Sequence, residues 1–181
     1  QKTAYEIPKR DWSSDVCSSD LHVLGEINHA LEPIYAQTGE SVFATAFFGV
    51  IDTAKHTLTY GNAGHPPPFV LSPGAAQAVA LVPADPEPAT GLVPGFPYSS
   101  GTTPFPPGAM LLGYTDGVLE AADASDNIFG DTRLRAVLDK NRGRSADELL
   151  TQLVRDVESF SGKNVFDDDV CLVAIEAAPA N

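Results

Sequence analysis

Cysteine is scarce in this chain: Cys17 and Cys171 are the two thiols among 181 residues. Two thiols make neither a disulfide framework nor a zinc site. Basic residues are scarce as well, 11 against 24 acidic ones, for a formal net charge of −13. That balance argues against nucleic acid as a partner, because phosphate neutralisation needs clustered lysines and arginines. It suits hard cations, which take carboxylate oxygens as ligands. No run of about 18 apolar residues is found, so no membrane contact is expected. No basic segment leads into an apolar stretch, as a secretory signal requires. The sequence therefore reads as an acidic, cytoplasmic domain. Its hydrophobic share of 43% suits a single core.

The first twenty residues, QKTAYEIPKRDWSSDVCSSD, differ in character from the rest of the chain. SSDVCSSD is a near-repeat without helical or strand periodicity. Composition makes it a disordered linker. Ser-Ser-Asp-Leu is also the translation of TCT-TCC-GAT-CT, the end of a common sequencing adapter. Residues 1–20 are accordingly set apart as disordered or non-native, and a domain is expected over 21–178.

From Leu21 the pattern is regular. Leu24, Ile27, Leu31 and Ile34 recur at helical spacing in LHVLGEINHALEPI, and Pro33 should end or kink that helix. VFATAFFGVID, rich in aromatic and β-branched residues, predicts a buried strand, paired through TAKH with TLTYGNAG as a hairpin. PFVLS continues the sheet to a turn at Pro73-Gly74, and dense proline and glycine between Pro83 and Pro107 predict loops. GAMLLGYTD is a further strand, and DTRLRAVLDK a short helix carrying Leu134, Val137 and Leu138. Ser145 and Glu148 form a capping box ahead of a helix with Leu149, Leu150, Leu153, Val154 and Val157 on one side. DDDVCLVAIEA is a closing strand. Hairpin strands followed by a block of helices give an α+β class with largely antiparallel sheets.

Asp116 ends one strand, and Asp167, Asp168 and Asp169 open another. Adjacent antiparallel strands would bring these acids to one sheet edge. Carboxylates that close repel, which raises the pKa of one of them. A Mg²⁺ or Mn²⁺ ion between them removes the conflict, since these ions prefer oxygen ligands in octahedral geometry. Gly117 permits a turn and close approach of another backbone. The plainer reading, which spacing alone favours, is a turn at Asp116-Gly117 and a solvated acidic loop.

FATAFFGVID, LTYGNAGHPPPFVL, LLGYTDGVLEA, FGDTRL and DDDVCLVAI, in that order, resemble the SpoIIE-type branch of the metal-dependent type 2C (PPM) Ser/Thr protein phosphatases. The resemblance runs from Leu21 to Ile175. It implies a four-layer αββα sandwich of antiparallel sheets flanked by helices, incomplete at its N-terminal side. It also implies two divalent ions, Mn²⁺ or Mg²⁺, with Asp116 and Asp168 as metal ligands and catalytic residues. Asp167 or Asp169 could take the second role instead. Cys171 stands where the family usually has threonine, a departure expected to affect packing more than chemistry. The implied reaction is hydrolysis of phosphoserine or phosphothreonine on a regulatory protein, such as an anti-sigma-factor antagonist, by water activated between the metals. An upstream sensor domain would complete the full-length protein.

The family's bridging aspartate, in an Asp-x-x-Gly-His-Gly type motif, has no counterpart here, and Asp15 lacks the Gly-His-Gly that should come after it. The 181-residue chain is therefore expected to be catalytically weak or dead. The alternative is a non-catalytic binding module on the phosphatase scaffold. His65 of NAGHPPP is expected to hydrogen-bond its own turn, and His22, His29 and His56 to be solvated. Glu120 is a candidate supporting acid, while Arg133 and Arg135 are candidate phosphate or partner contacts.

Overall fold

The computed structural model describes residues 22–38, 43–163, 166 and 168–178. Residues 1–20 and Asp167 thus lie outside the described residues. Helix α1 (Val23–Thr38) carries Pro33 inside it rather than ending there. A proline in a helix interior removes one hydrogen bond, and here the remaining ladder carries the helix past it. The buried face is narrower than the apolar spacing suggests: Leu24 and Asn28 are buried, whereas Ile27 and Ile34 are 38% and 40% exposed. What centres the helix on Leu24 and Asn28 is local. The Asn28 amide donates to the Val93 carbonyl at 2.9 Å and accepts from the Gly91 N–H at 2.7 Å. Under Leu24 lies Gly61, where an added Cβ would meet Leu24 Cδ1 at 2.9 Å.

Strands β1 (Ala46–Asp52) and β2 (Thr57–Ala63) form the expected hairpin, in register from Ala46↔Ala63 to Asp52↔Thr57. Asp52 fixes its turn by accepting from the N–H groups of Ala54 and Lys55 at 3.0 and 2.8 Å. Strand β1 was expected to be buried, yet it is half-buried along most of its length. The reason is topological: the sheet order is β1-β2-β5, with β5 (Gly101–Pro104), so β1 is an edge. The second sheet has the order β4-β3-β6-β7, built from β3 (Phe69–Leu71), β4 (Val79–Ala80), β6 (Met110–Tyr114) and β7 (Leu172–Glu176). Every pairing in both sheets is antiparallel.

The sheets face one another through Leu58, Val70, Phe105 and Leu111. On the far side of the second sheet, Phe69, Leu112 and Tyr114 pack against Leu134, Leu138, Leu149, Leu153 and Val157. These last residues belong to α3 (Gly130–Lys140) and α4 (Ala146–Ser161). With α1 against β1 and β2, the layers run helix, sheet, sheet, helix, the αββα sandwich expected. Helix α4 begins at the capping box, Ser145 and Glu148 exchanging bonds of 3.3 and 3.1 Å, and ends at Gly162 with φ 66°. Both ends carry the signals that the sequence spells out locally.

Candidate active site at the sheet rim

Strands β6 and β7 are neighbours, paired from Met110↔Glu176 to Tyr114↔Leu172. The end of β6 and the start of β7 therefore share one rim, and the pairing extends past the strands by a bond from Thr115 N–H to the Cys171 carbonyl at 3.1 Å. The Thr115 hydroxyl then makes two more: it donates to the Asp169 carbonyl at 2.8 Å and accepts from the Cys171 N–H at 2.9 Å. One side chain thus ties the acidic segment to the strand that delivers Asp116. Directly after Thr115 the chain turns into helix α2 (Gly117–Glu120), with Asp116 at its N-cap. The Asp116 carbonyl accepts from Leu119 and Glu120 N–H at 2.7 and 2.9 Å, and its carboxylate accepts from Gly117 N–H at 3.2 Å. Gly117 is buried against the acidic segment: an added Cβ would lie 2.7 Å from the Asp169 carbonyl oxygen.

Asp116, Asp168 and Asp169 are exposed, so their carboxylates face solvent at this rim. Asp168 also accepts from the Asp169 N–H at 2.8 Å, which shapes the bend before β7. Among the described residues no set of three or more His, Cys, Asp or Glu side chains is grouped to hold a metal ion. The rim instead presents two exposed aspartates, Asp116 and Asp168, on two segments bonded to each other. That fits Mg²⁺, which keeps several waters and takes one or two carboxylates. It does not fit a closed cage of protein ligands.

His65 is half-buried beside this rim. Burial holds its pKa below the usual imidazole value, and the Asp116 carboxylate acts in the opposite direction. The turn bonds expected of its ring are made by a different side chain, the amide of Asn62. Its Nδ1 lies 3.3 Å from Thr45 Oγ1 instead. Thr45, His65, Thr115 and Cys171 line a cavity of about 530 Å³ between the sheets, together with Leu58, Leu111 and Ile175.

The other candidates separate cleanly. Arg133 donates to the Ile128 and Phe129 carbonyls at 2.9 and 3.2 Å and lies 4.4 Å above the Phe160 ring. Arg135 pairs with Asp131 and lies 4.8 Å above the Phe69 ring. Both guanidinium groups thus have partners on or beside α3. Glu120 is exposed on α2, and His22, His29 and His56 are exposed as expected. Thr115 is a site residue that the sequence motifs do not single out. Its partners are 54 and 56 positions away, and no local pattern announces a bond of that span.

Comparison with known proteins agrees with the layered fold. The profile of the family described as Stage II sporulation protein E (SpoIIE) matches residues 15–178. Protein IcfG of Synechocystis sp. is 33% identical over 135 residues, covering 75% of this chain and 21% of that protein. The phosphoserine phosphatase RsbP of Bacillus subtilis is 25% identical over 159 residues, covering 87% of this chain and 37% of that protein. The chain thus spans well under half the length of either relative. Among solved structures, the SiaA-PP2C domain of Pseudomonas aeruginosa superposes with a TM-score of 0.72 at 21% identity, over 85% of this chain and 59% of that one. A profile match over nearly the whole chain, on an αββα scaffold shared with a PP2C domain, establishes the family: the chain belongs to the SpoIIE-type, PP2C-like protein phosphatase domains.

Proposed function

We propose that this domain acts on phosphoserine or phosphothreonine of a regulatory protein, of the kind exemplified by anti-sigma-factor antagonists. In this reading Asp116 and Asp168 hold divalent cations, Mn²⁺ or Mg²⁺. When bound, such ions activate a water and neutralise phosphoryl oxygens for in-line displacement. The observation that carries the reading is the clasp between the two strand ends. The Thr115 hydroxyl bonds both sides of Val170, and Gly117 leaves room for the Asp169 carbonyl. Such a clasp keeps two like-charged segments side by side, an arrangement whose repulsion a cation offsets. The naming of RsbP as a phosphoserine phosphatase supports the same chemistry.

The protein's own residues divide the work. Asp116 and Asp168 supply oxygen donors, and Thr115 and Gly117 set their spacing. A cytoplasmic protein with a sensor domain upstream is the natural setting, and the much greater length of the relatives supports additional domains. The second reading is a binding module on the same scaffold that engages its partner without turnover.

Manganese titration combined with hydrolysis of p-nitrophenyl phosphate and a phosphoserine peptide tests both readings. Mn²⁺ binding with slow hydrolysis, each lost in Asp116→Ala, supports the phosphatase. Mn²⁺ binding without hydrolysis of either substrate selects the module. Absence of Mn²⁺ binding removes the metal site from both.

A further inference from the structure

Strands β6 and β7 have a second end, where Met110 pairs with Glu176, about 14 Å along β6 from Tyr114 at the acid rim. The charge there is of the opposite sign. Lys140, Arg142 and Arg144, three of the chain's 11 basic residues, fall within five positions of a chain whose net charge is −13. They belong to the turn between α3 and α4, and that turn is fixed. Asn141, 2% exposed, donates its side-chain amide to the Val137 carbonyl at 2.7 Å. The Arg144 N–H donates to the Asn141 carbonyl at 3.3 Å, and Ser145 then opens the capped helix α4.

Between this turn and the one at Ser72 to Ala75 lies a cavity of about 490 Å³. Leu71, Met110 and Leu149, all buried, line it on the apolar side. Its charges are Asp139, Arg142, Arg144 and Glu176, and three of the four are already engaged. Arg142 joins the two turns: Nε donates to the Asp139 carbonyl at 3.0 Å and lies 3.8 Å from its carboxylate, and Nη1 donates to the Ala75 carbonyl. The Asp139 carboxylate also accepts from the Ala78 N–H at 2.9 Å. Glu176 accepts from the Ala146 N–H at 3.3 Å, in the first turn of α4, where the helix dipole offsets its charge. The Arg144 guanidinium has no hydrogen bond or ion pair among the described residues. The charge left over in the cavity is therefore a single positive one.

We propose that this cavity binds an amphipathic monocarboxylate, its carboxylate on Arg144 and its hydrocarbon part against Leu71, Met110 and Leu149. A guanidinium presents a planar fork of donors that matches a carboxylate. Asp139 and Glu176 close by disfavour a second negative charge on the ligand, so a phosphate dianion is the poorer match. The buried apolar lining gives a hydrocarbon chain a surface that a bare anion does not use. The site is separate from the acid rim and needs neither metal nor phosphate, so it does not rest on the phosphatase reading.

The test uses the ¹⁵N-labelled full chain with hexanoate as the probe, and acetate, hexanol and inorganic phosphate as comparisons. Hexanoate should shift the Gly74 and Gly143 amides in a saturable way and leave the Gly117 amide still. Acetate lacks the hydrocarbon part and hexanol lacks the charge, so each should bind about tenfold or more weakly. Arg144→Gln should lose about tenfold in hexanoate affinity, the scale of one hydrogen bond to a charged group. Arg144→Lys keeps the charge without the fork and should lose less. Arg144 has no side-chain partner in the described fold, so both variants should unfold at the temperature of the parent. Unchanged affinity in Arg144→Gln overturns the proposal, as does hexanol binding as tightly as hexanoate. A Gly143 shift as large with phosphate as with hexanoate overturns the assigned ligand class. Hexanoate shifts at Gly117 in place of Gly143 overturn the location. No saturable shift at either position overturns the proposal and leaves the reading of the rim untouched.

Discussion

The α-carbon of Gly117 and the carbonyl of Asp169 are in closest approach, so that a methyl group on the first would stand 2.7 Å from the oxygen of the second. The contact explains why a strand ending in an aspartate continues with glycine. Two backbones, each adjoining a metal-ligand candidate, meet with no side chain between them. Any residue other than glycine pushes the acidic segment away from Asp116.

Gly117→Ala should accordingly lower stability by about 1–3 kcal/mol, the usual range for overpacking. It should also weaken Mn²⁺ binding, because the displaced segment carries Asp168. Thermal unfolding and Mn²⁺ titration followed by electron paramagnetic resonance read the two effects separately. An alanine variant with unchanged metal affinity would show that the contact spaces the backbone without spacing the ligands.

Thr115 makes a complementary prediction. Thr115→Val keeps the shape but removes the donor to the Asp169 carbonyl and the acceptor for the Cys171 N–H. The expected loss is roughly 1–2 kcal/mol in urea unfolding, since two partially shielded backbone groups lose their partner. Thr115→Ser should recover most of it. A larger loss for serine than for valine would assign the effect to packing of the methyl group.

These residues also mark where the sequence is readable. The capping box at Ser145 and Glu148, the hairpin at Asp52 and the strand-ending Asp116 depend on neighbours a few positions away, and sequence reading recovers them all. The edge position of β1 depends on which strands pair. For that reason a run as apolar as AFFGVID is half-buried against expectation. Helix α1 likewise buries Leu24 and Asn28 in place of a full apolar stripe, because Gly61 and the Gly91–Val93 loop decide its inner face. Arg133 and Arg135, candidate phosphate or partner contacts by sequence, also lie over Phe160 and Phe69, ring partners distant along the chain. Local chemistry is legible in the sequence. Partners at long range are not.

The acidic run permits a test of ligand identity. Asp169 contributes its main-chain carbonyl to the clasp with Thr115, and Asp168 turns its carboxylate to the Asp169 N–H. Asp168→Asn should weaken Mn²⁺ binding by about tenfold or more, the loss of one charged ligand oxygen pair. Asp169→Asn should stay within about twofold. Both can be measured by calorimetric titration after EDTA treatment and buffer exchange. A reversed order of effects would move the ligand role to Asp169.

Tyr114, the last residue of β6, gives the chain an alkaline limit. Its ring is 3% exposed and stacks on Phe69 at 6.0 Å between centroids. Burial, with a smaller push from Asp131 and an opposing effect of Arg135, raises the phenol from 10.0 to about 12. The folded state therefore retains the phenolic proton where the unfolded chain has released it. By linkage, stability then falls as pH rises from 10 toward 12, and this contribution is fully present below pH 10. The difference corresponds to about 3 kcal/mol, lost progressively over that window. Tyr114→Phe keeps the stacked ring and has no proton to lose. Thermal unfolding between pH 9 and 12 should show a steeper decline for the parent than for the phenylalanine variant. Absorbance at about 295 nm should register ionisation of one tyrosine only as the fold is lost. Identical slopes would mean that other groups govern unfolding in alkali.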